Sequence, residues 1–405
     1  MSHRSDFIRT PSKNEEAITA MLAVSASYFS LKPPSFRIAK AVTCLTMVLS
    51  SPLLYAQEGV FLYGTVDTGI GWTRISGGEK KTGLLDNGQT DSLWGLRGSE
   101  ALSNGFSANF NLESGFSPST GQLEEEGKLF NYATWIGIEH EALGELRLGR
   151  QNPIAQQFGD ELEVAPWADF GLGALFKASD NYQFSDTISY LTPGFAGFQA
   201  GFSYSFNANE GEYFQTSHNA RALSTGLSYE NGPLYTTLTY DHLQPGHERI
   251  SGQRSAKAWQ LGASYDFSHF KLAAGWSRQR HGFVGLNGGD MDDTPLGLTG
   301  LEGIGPLEFV KGGKVDAWFV GASLPLGQGE LLAQWSIANP NWIWQRTGER
   351  AKKVQVYSLG YVYELSPRTS LYAFAAGGRN FSIEGTFSSE NPSAKRVAAG
   401  ITHHF

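Results

Sequence analysis

From Val60 to the C-terminus, apolar and polar residues alternate with a period of two in one short stretch after another. Between Trp259 and Phe267 every odd position is apolar and every even one small or polar. Leu223, Thr225, Leu227 and Tyr229 alternate with Ser224, Gly226, Ser228 and Glu230. Leu234, Thr236, Leu238 and Tyr240 alternate with Tyr235, Thr237, Thr239 and Asp241. Tyr357, Leu359, Tyr361, Tyr363 and Leu365 do the same against Ser358, Gly360, Val362 and Glu364. Each stretch predicts a strand with one apolar face and one polar, glycine-rich face.

The joints between the stretches alternate too. Short, turn-like ones fall at 102–105, 141–144, 193–197, 230–233, 267–269, 324–329 and 365–369, and long polar ones at 74–90, 117–128, 208–219, 244–255, 281–313, 339–351 and 380–393. Short on one side and long on the other is the up-and-down pattern of a transmembrane antiparallel β-barrel, here of about sixteen strands, a size that leaves an aqueous channel. A soluble β-sandwich would alternate in the same way, so periodicity alone does not choose. Three features favour lipid outside: the Gly, Ser, Thr and Tyr on the polar face, the aromatics near strand ends (Trp72, Trp94, Trp135, Trp276, Trp318, Trp335), and the terminal Phe405 closing a strand with Val397, Ala399, Ile401 and His403 on one face.

One stretch breaks the alternation. Gln151 to Tyr182 is about thirty residues without a strand pattern, and loops of that length in a compact domain are usually functional. It carries Phe158, Trp167, Phe170, Leu172, Leu175 and Phe176, which need a surface to pack on, beside Asp160, Glu161, Glu163 and Asp169 and only Lys177 as a cation. An apolar anchor with an acidic edge predicts a plug or constriction.

Composition agrees and narrows the function. The 405 residues include 49 Gly and 13% aromatics but only 17% charged residues, and the net charge of −8 argues against a nucleic-acid partner. With Cys44 as the sole cysteine, neither disulfides nor a cysteine metal site are available. Arg37 and Lys40, the apolar run Ala41–Leu54 and Leu54-Tyr55-Ala56 predict a signal peptide cleaved before Gln57. The run is broken by Pro52 and too short to span a bilayer as a helix. The predicted organisation is therefore an N-terminal extension plus signal peptide over residues 1–56 and a barrel over 57–405, with Met21 a more ordinary start for such a signal. Removing the first 56 residues leaves 25 basic against 36 acidic residues, a net charge of −11.

Motifs along the mature chain resemble the general trimeric porins of Gram-negative bacteria, of the Burkholderia and Neisseria type. Val60-Phe61-Leu62-Tyr63-Gly64-Thr65-Val66-Asp67 is similar to the family's V-x-L-Y-G-x-x-D start. The stretches Leu93–Leu102, Gly144–Gln151 and Ile188–Phe198 resemble internal family motifs, and Gly400–Phe405 its G-x-x-H-x-F end. The resemblance implies a sixteen-stranded outer-membrane barrel assembled as a homotrimer, set among outer-membrane lipid and lipopolysaccharide and passing small hydrophilic solutes passively. It implies that the loop Gln151–Tyr182 folds inward as the third external loop, and that Phe405 is part of the signal read by the barrel-assembly machinery.

Such porins set arginines on the wall facing the acidic loop. Here those positions fall on Leu93, near Tyr132, and on Gln183, with Leu93 and Gln183 assigned to the lumen by strand parity. Arg97, Arg147 and, at the loop's root, Arg150 remain as pore-wall candidates. With Asp160, Glu161, Glu163 and Asp169 facing fewer cations, a cation-leaning channel is expected. A solute-specific channel for a sugar or organic acid is the alternative, and a barrel enzyme or adhesin the more distant one. No cofactor or metal site is expected: His403 and His404 point to opposite faces of a strand, Asp290, Asp292 and Asp293 lack EF-hand spacing, Glu124–Glu126 reads as a solvated loop, and nucleophile-elbow, zincin and P-loop motifs are absent.

Overall fold

A computed structural model of the chain describes residues 59–76, 80–176, 183–208, 215–244, 246, 254–281, 313–341, 343, 350–381, 383 and 393–405. The expected signal segment and cleavage site, Cys44, Lys177 and the aspartates at 290–293 lie outside the described residues. The strands are β1 (Gly59–Ile75), β2 (Lys80–Asp86), β3 (Leu93–Ala101), β4 (Phe106–Gly115), β5 (Ala133–His140), β6 (Gly144–Gln151), β7 (Phe184–Leu191), β8 (Phe198–Ser205) and β9 (Arg221–Asn231). They continue as β10 (Leu234–Gln244), β11 (Ala256–Asp266), β12 (Lys271–Arg280), β13 (Lys314–Leu326), β14 (Gly329–Pro340), β15 (Val354–Ser366), β16 (Thr369–Arg379) and β17 (Ser393–His404). One short helix, α1 (Ile154–Gly159), follows β6.

Every pairing is antiparallel, and the sheet closes where β17 pairs with β1, Thr65 opposite His404 through Ile75 opposite Ala394. The other edge of β1 is shared. Its first half pairs with β3, from Gly59–Ser99 to Thr65–Leu93, and its second with β2, from Thr68–Asp86 to Arg74–Lys80. The seventeen segments therefore fill sixteen positions of a closed barrel.

The alternation predicts the two faces correctly. In β11, Ala256, Ala258, Gln260, Gly262 and Ser264 are buried while Lys257, Trp259, Leu261, Ala263 and Tyr265 are exposed. The outward face is the apolar one: Ile70 is 66% exposed, Leu84 60% and Ile136 61%, a pattern that makes sense only against lipid. Trp72, Trp94, Trp276, Trp318 and Trp335 lie on this face, the last pair of neighbours being Trp318 opposite Trp276 and Trp335 opposite Val320. Trp135 does not. It pairs with Asn111 and Gly149, on the face of Gly137 and Arg147, and so looks inward.

The predicted long joint at 74–90 is a second correction, because β2 lies inside it. Lys80-Lys81-Thr82-Gly83 looks turn-like, yet Leu84 takes the lipid face opposite Ile70. What ends β2 is Asp67. This fully buried carboxylate stands on β1 opposite the break between β2 and β3. Its Oδ1 accepts from the Gly88 amide (2.7 Å) and the Tyr372 hydroxyl (2.8 Å), and its Oδ2 from Thr402 (2.6 Å) and the Gln89 (3.2 Å) and Thr90 (3.3 Å) amides. Five donors satisfy a charge that would otherwise be costly to bury, and they join β1, the break, β16 and β17. The C-terminus is stapled beside it: Phe405 and Gly64 exchange both backbone hydrogen bonds, at 3.0 and 3.1 Å, with the Phe405 ring where a Cβ on Gly64 would sit. His404 meets Thr65 and His403 meets Thr369, each at 2.9 Å and on opposite faces.

Candidate functional site

The segment after β6 packs on the face of the strands opposite the lipid-facing one. Its apolar side chains are nearly all shielded from solvent: Ile154, Leu162, Phe170, Leu172, Leu175 and Phe176 at 0% exposure and Trp167 at 1%. They fit because the wall beneath them lacks side chains. Ile154 sits over Gly201 of β8, Phe158 over Gly226 of β9, Leu162 over Gly262 of β11, Phe176 over Gly275 of β12, Val164 over Gly321 of β13 and Trp167 over Gly360 of β15. A Cβ at five of the six would collide with the seated residue, and at Gly275 it would meet Phe319 at 2.5 Å, with Phe176 at 3.0 Å. Aromatic contacts complete the seat, Trp167 stacking on Phe374 at 4.8 Å and Phe176 meeting Phe319 edge-on at 4.8 Å.

Polar ties fix the register of the segment. The Ala155 amide donates to Ser224 (2.9 Å), the Tyr235 hydroxyl to the Phe158 carbonyl (2.7 Å) and the Ala168 amide to the Gly88 carbonyl (3.1 Å). The segment thus runs from β6 past β8 to β16 as far as the break before β3.

Its carboxylates meet different fates. Asp169 is paired with Arg396 of β17 at 2.5 Å; that guanidinium also donates to the Ala168 carbonyl (3.1 Å) and Thr73 (3.0 Å), and lies over the Phe170 ring. Arg396 is therefore a wall arginine facing the loop, where none was expected. Glu163 accepts the Leu172 amide at 2.9 Å. Burial pushes its carboxyl up to about 7; the amide opposes that rise, and the negative charge of Asp91 adds to it. Asp160 and Glu161 are exposed, with the Lys271 ammonium 3.3 Å from the Glu161 carbonyl.

Among the described residues, the inner face of β3 to β6 lies beyond the segment's seat and, with Tyr63 of β1, carries polar and charged groups. The Tyr63 hydroxyl lies 2.6 Å from both Asn111 and Glu113, with Arg97 over its ring at 4.9 Å. Arg147 lies over Trp135 at 4.4 Å and pairs with Glu145 at 2.6 Å, while Asn109 donates to Glu139 at 2.9 Å. Near the long-loop end, the Tyr132 hydroxyl stands between Asp91 and Glu124, both exposed carboxylates. Sequence reasoning took Tyr132 only as a place where an arginine was lacking and did not single out Asp91.

Leu93, Arg97 and Arg147 take the inner face, by their register with Thr65, Phe61 and Gly137. Arg150 does not: it pairs with Thr134, on the face of Leu112, and its guanidinium goes to the Asn131 carbonyl (2.5 Å), Ser185 (2.9 Å) and Glu125 (3.7 Å). Gln183 is also displaced. The register slips between Gly149 and Gln151, Asp186 adopts φ 52°, and Phe184 takes the inner face, so alternation turns Gln183 away from it.

Residues 41–380 match a family described as Gram-negative porin. An outer membrane porin protein of Bordetella pertussis is 34% identical over 376 residues, covering 86% of this chain and 95% of that protein. Outer membrane porin protein 32 of Delftia acidovorans is 28% identical over 352 residues, covering 84% and 90%. Among solved structures, the anion-selective porin from Comamonas acidovorans superposes with a TM-score of 0.65 at 25% identity, over 86% of this chain and all of the other. OmpT of Vibrio cholerae, in its trimer form, does so with a TM-score of 0.57 at 12% identity, over 86% and 99%.

Proposed function

The chain belongs to the Gram-negative porin family, outer-membrane channels rather than enzymes, and on that premise we propose that its segment 151–176 narrows a water-filled pore with a lean toward cations. The observation that carries this reading is the asymmetric seating of the segment. It lies against the wall from β8 to β16, so the open cross-section is bounded by the segment on one side and by β1 to β6 on the other. Small hydrophilic solutes and ions diffuse through that gap passively.

The lean toward cations rests on which carboxylates are exposed along the gap. Asp169 is matched by Arg396, and Glu163 is ionised only in part near neutral pH. Asp160 and Glu161 on the segment and Asp91 and Glu124 opposite it are exposed. Four carboxylates around a confined aqueous passage set a negative potential that raises the local cation concentration. A contrary reading has its own support: Arg396 and Lys271 bring positive charge to the loop, and the Comamonas porin is anion-selective.

The reversal potential of the protein in a planar bilayer under a salt gradient separates the two. Cation preference at low salt, fading as salt shortens the screening length, supports the lean; anion preference overturns it. The proposed assembly is a homotrimer, which native mass spectrometry of the purified protein tests. Phe405, closing the barrel against Gly64, is proposed as part of the signal recognised by the assembly machinery.

A further inference from the structure

Six side chains of the segment 151–176 sit over glycines of the wall, and polar residues lie between those seats. Val164 enters at Gly321 of β13 and Trp167 at Gly360 of β15, so the chain between them crosses β14. The inner residues of β14 there are Gln334, opposite Gly321 and Ser358, and Ser336, opposite Phe319 and Val356. Gln334 is 5% exposed, Ser336 0% and Ser358 6%. Neither end of the Gln334 amide, neither serine hydroxyl, nor the Nε1–H of Trp167 makes a hydrogen bond.

The arrangement recurs on β10 to β12. Thr239, Gln260 and Ser277 stand in one row, beside the seats of Phe158 at Gly226, Leu162 at Gly262 and Phe176 at Gly275. Each is at most 1% exposed, and the two hydroxyls and the Gln260 amide oxygen have no partner. A buried polar group is costly until something bonds it, and native interiors meet that need with protein or with enclosed water. At β14 the wall's backbone is committed to the strand ladders, and the Ala165 carbonyl above it accepts the Trp167 amide at 2.9 Å. The unmet groups are uncharged. They mix donors, the indole N–H and the amide NH2, with an amide oxygen that accepts and hydroxyls that do either. An ion would find no counter-charge among them, and a molecule enclosed with residues at most 6% exposed has to be small. Water meets each condition.

We infer that bound water fills the spaces between the glycine seats and ties the segment to the wall there. Under Val164–Trp167 about two or three molecules, each making about three hydrogen bonds, join Gln334, Ser336 and Ser358 to the Trp167 indole. The position of the segment is then set by hydration as well as by apolar contact. This concerns how the segment is seated, and it stands whether the channel favours cations or anions.

The direct test is a high-resolution crystal structure of the full assembled protein. Ordered water is expected within about 3 Å of the Gln334 amide, the Ser358 hydroxyl and Trp167 Nε1. A dry site, with the Gln334 amide turned onto protein groups, overturns the inference. A second test uses the protein in micelles with isotope-labelled tryptophan, the Trp167 indole resonance being identified by its loss in Trp167→Phe. Magnetisation transfer from water to that indole proton should be present in the wild type. It should fall at least fivefold in the triple variant Gln334→Met, Ser336→Ala, Ser358→Ala, which keeps much of the wall's shape and removes its polar atoms. No transfer in the wild type, or equal transfer in the triple variant, also overturns the inference. Should the variant fail to assemble, the crystal structure and the wild-type transfer still decide.

Discussion

The two halves of the inner wall share one backbone geometry and differ in what lies against them. From β8 to β16 the inner face mixes Gly, Ala, Val and Phe with buried polar residues such as Ser224, Gln260, Gln279 and Gln334, and the segment 151–176 packs on it. From β1 to β6 the inner positions include Tyr63, Arg97, Asn109, Glu113, Trp135 and Arg147, paired with one another and open to the passage. The difference shows that a barrel of this size need not have a uniform interior. One half holds a loop, and the other is proposed to meet solutes.

The sharpest way to break that contrast is to unseat the loop. Trp167→Ala removes a buried indole stacked on Phe374, a change that costs about 3–5 kcal/mol in packed cores, and Gly360→Leu fills the same site from the wall side. Both should raise single-channel conductance severalfold and make it noisy, with the barrel still closed by heat-modifiability on gels. Conductance unchanged in both would mean that the loop does not limit the passage.

Next in size is the Arg396–Asp169 pair. Arg396→Gln removes the buried partner of Asp169, whose side chain is 31% exposed, so solvent lowers the cost of breaking the pair to about 1–2 kcal/mol. Loop protection in hydrogen exchange should fall, and Asp169→Asn in the same chain should restore much of it. A double variant as loose as the single would show that the two residues do not act together.

Glu163 gives a pH effect of intermediate size. Its carboxyl titrates near 7, above the ordinary 4.5, because burial disfavours the charged form. Its contribution to stability is therefore greatest below about 4.5 and is lost as pH rises through about 7. Channel charge runs the other way, so cation preference should grow between pH 5.5 and 8, and Glu163→Gln should flatten part of that rise. A reversal potential with the same pH slope in the variant would exclude Glu163 as a contributor.

The smallest effect belongs to the open half. Arg147→Gln removes a pair whose side chains are only 19% and 13% exposed, so its contribution lies at the upper end of the about 0–1 kcal/mol of surface pairs. Unfolding should move by about 1 kcal/mol, with a slight strengthening of cation preference. A loss larger than that of Arg396→Gln would erase the distinction between the halves.

Much of this was legible in the residues. The period-two alternation gives the two faces and the strand number, with Trp135 and the joint at 74–90 as exceptions, and the interruption after Gln151 marks the segment that packs on the inner face. Phase was harder. The extra residue at the β7 kink by Asp186 is enough to move Gln183 off the inner face, and a bulge leaves no clear mark in composition, whereas Arg150 lies off that face by plain alternation from Arg147. Arg396 could have been found: Val397, Ala399 and Ile401 already belonged to the outer face, which leaves Arg396 inside. It was missed because arginines were sought only at the family's positions. The β2 strand was hidden because Lys80, Lys81 and Gly83 resemble a turn, and its end depends on Asp67, a contact with no local signature.

That contact also orders events in time. Asp67 lies near the start of the barrel, whereas Tyr372 and Thr402 are 305 and 335 residues further along. Bringing such distant segments together costs about 5 kcal/mol of chain entropy, which neighbouring hairpins must offset before the carboxylate can be satisfied. Until the last strand has arrived, Asp67 is a charge in need of donors, and a chain that stalls short of β17 cannot bury it. The same residue that ends β2 thus ties the satisfaction of its charge to closure, and a chain truncated before β17 is expected to remain an open sheet, which its protease sensitivity checks.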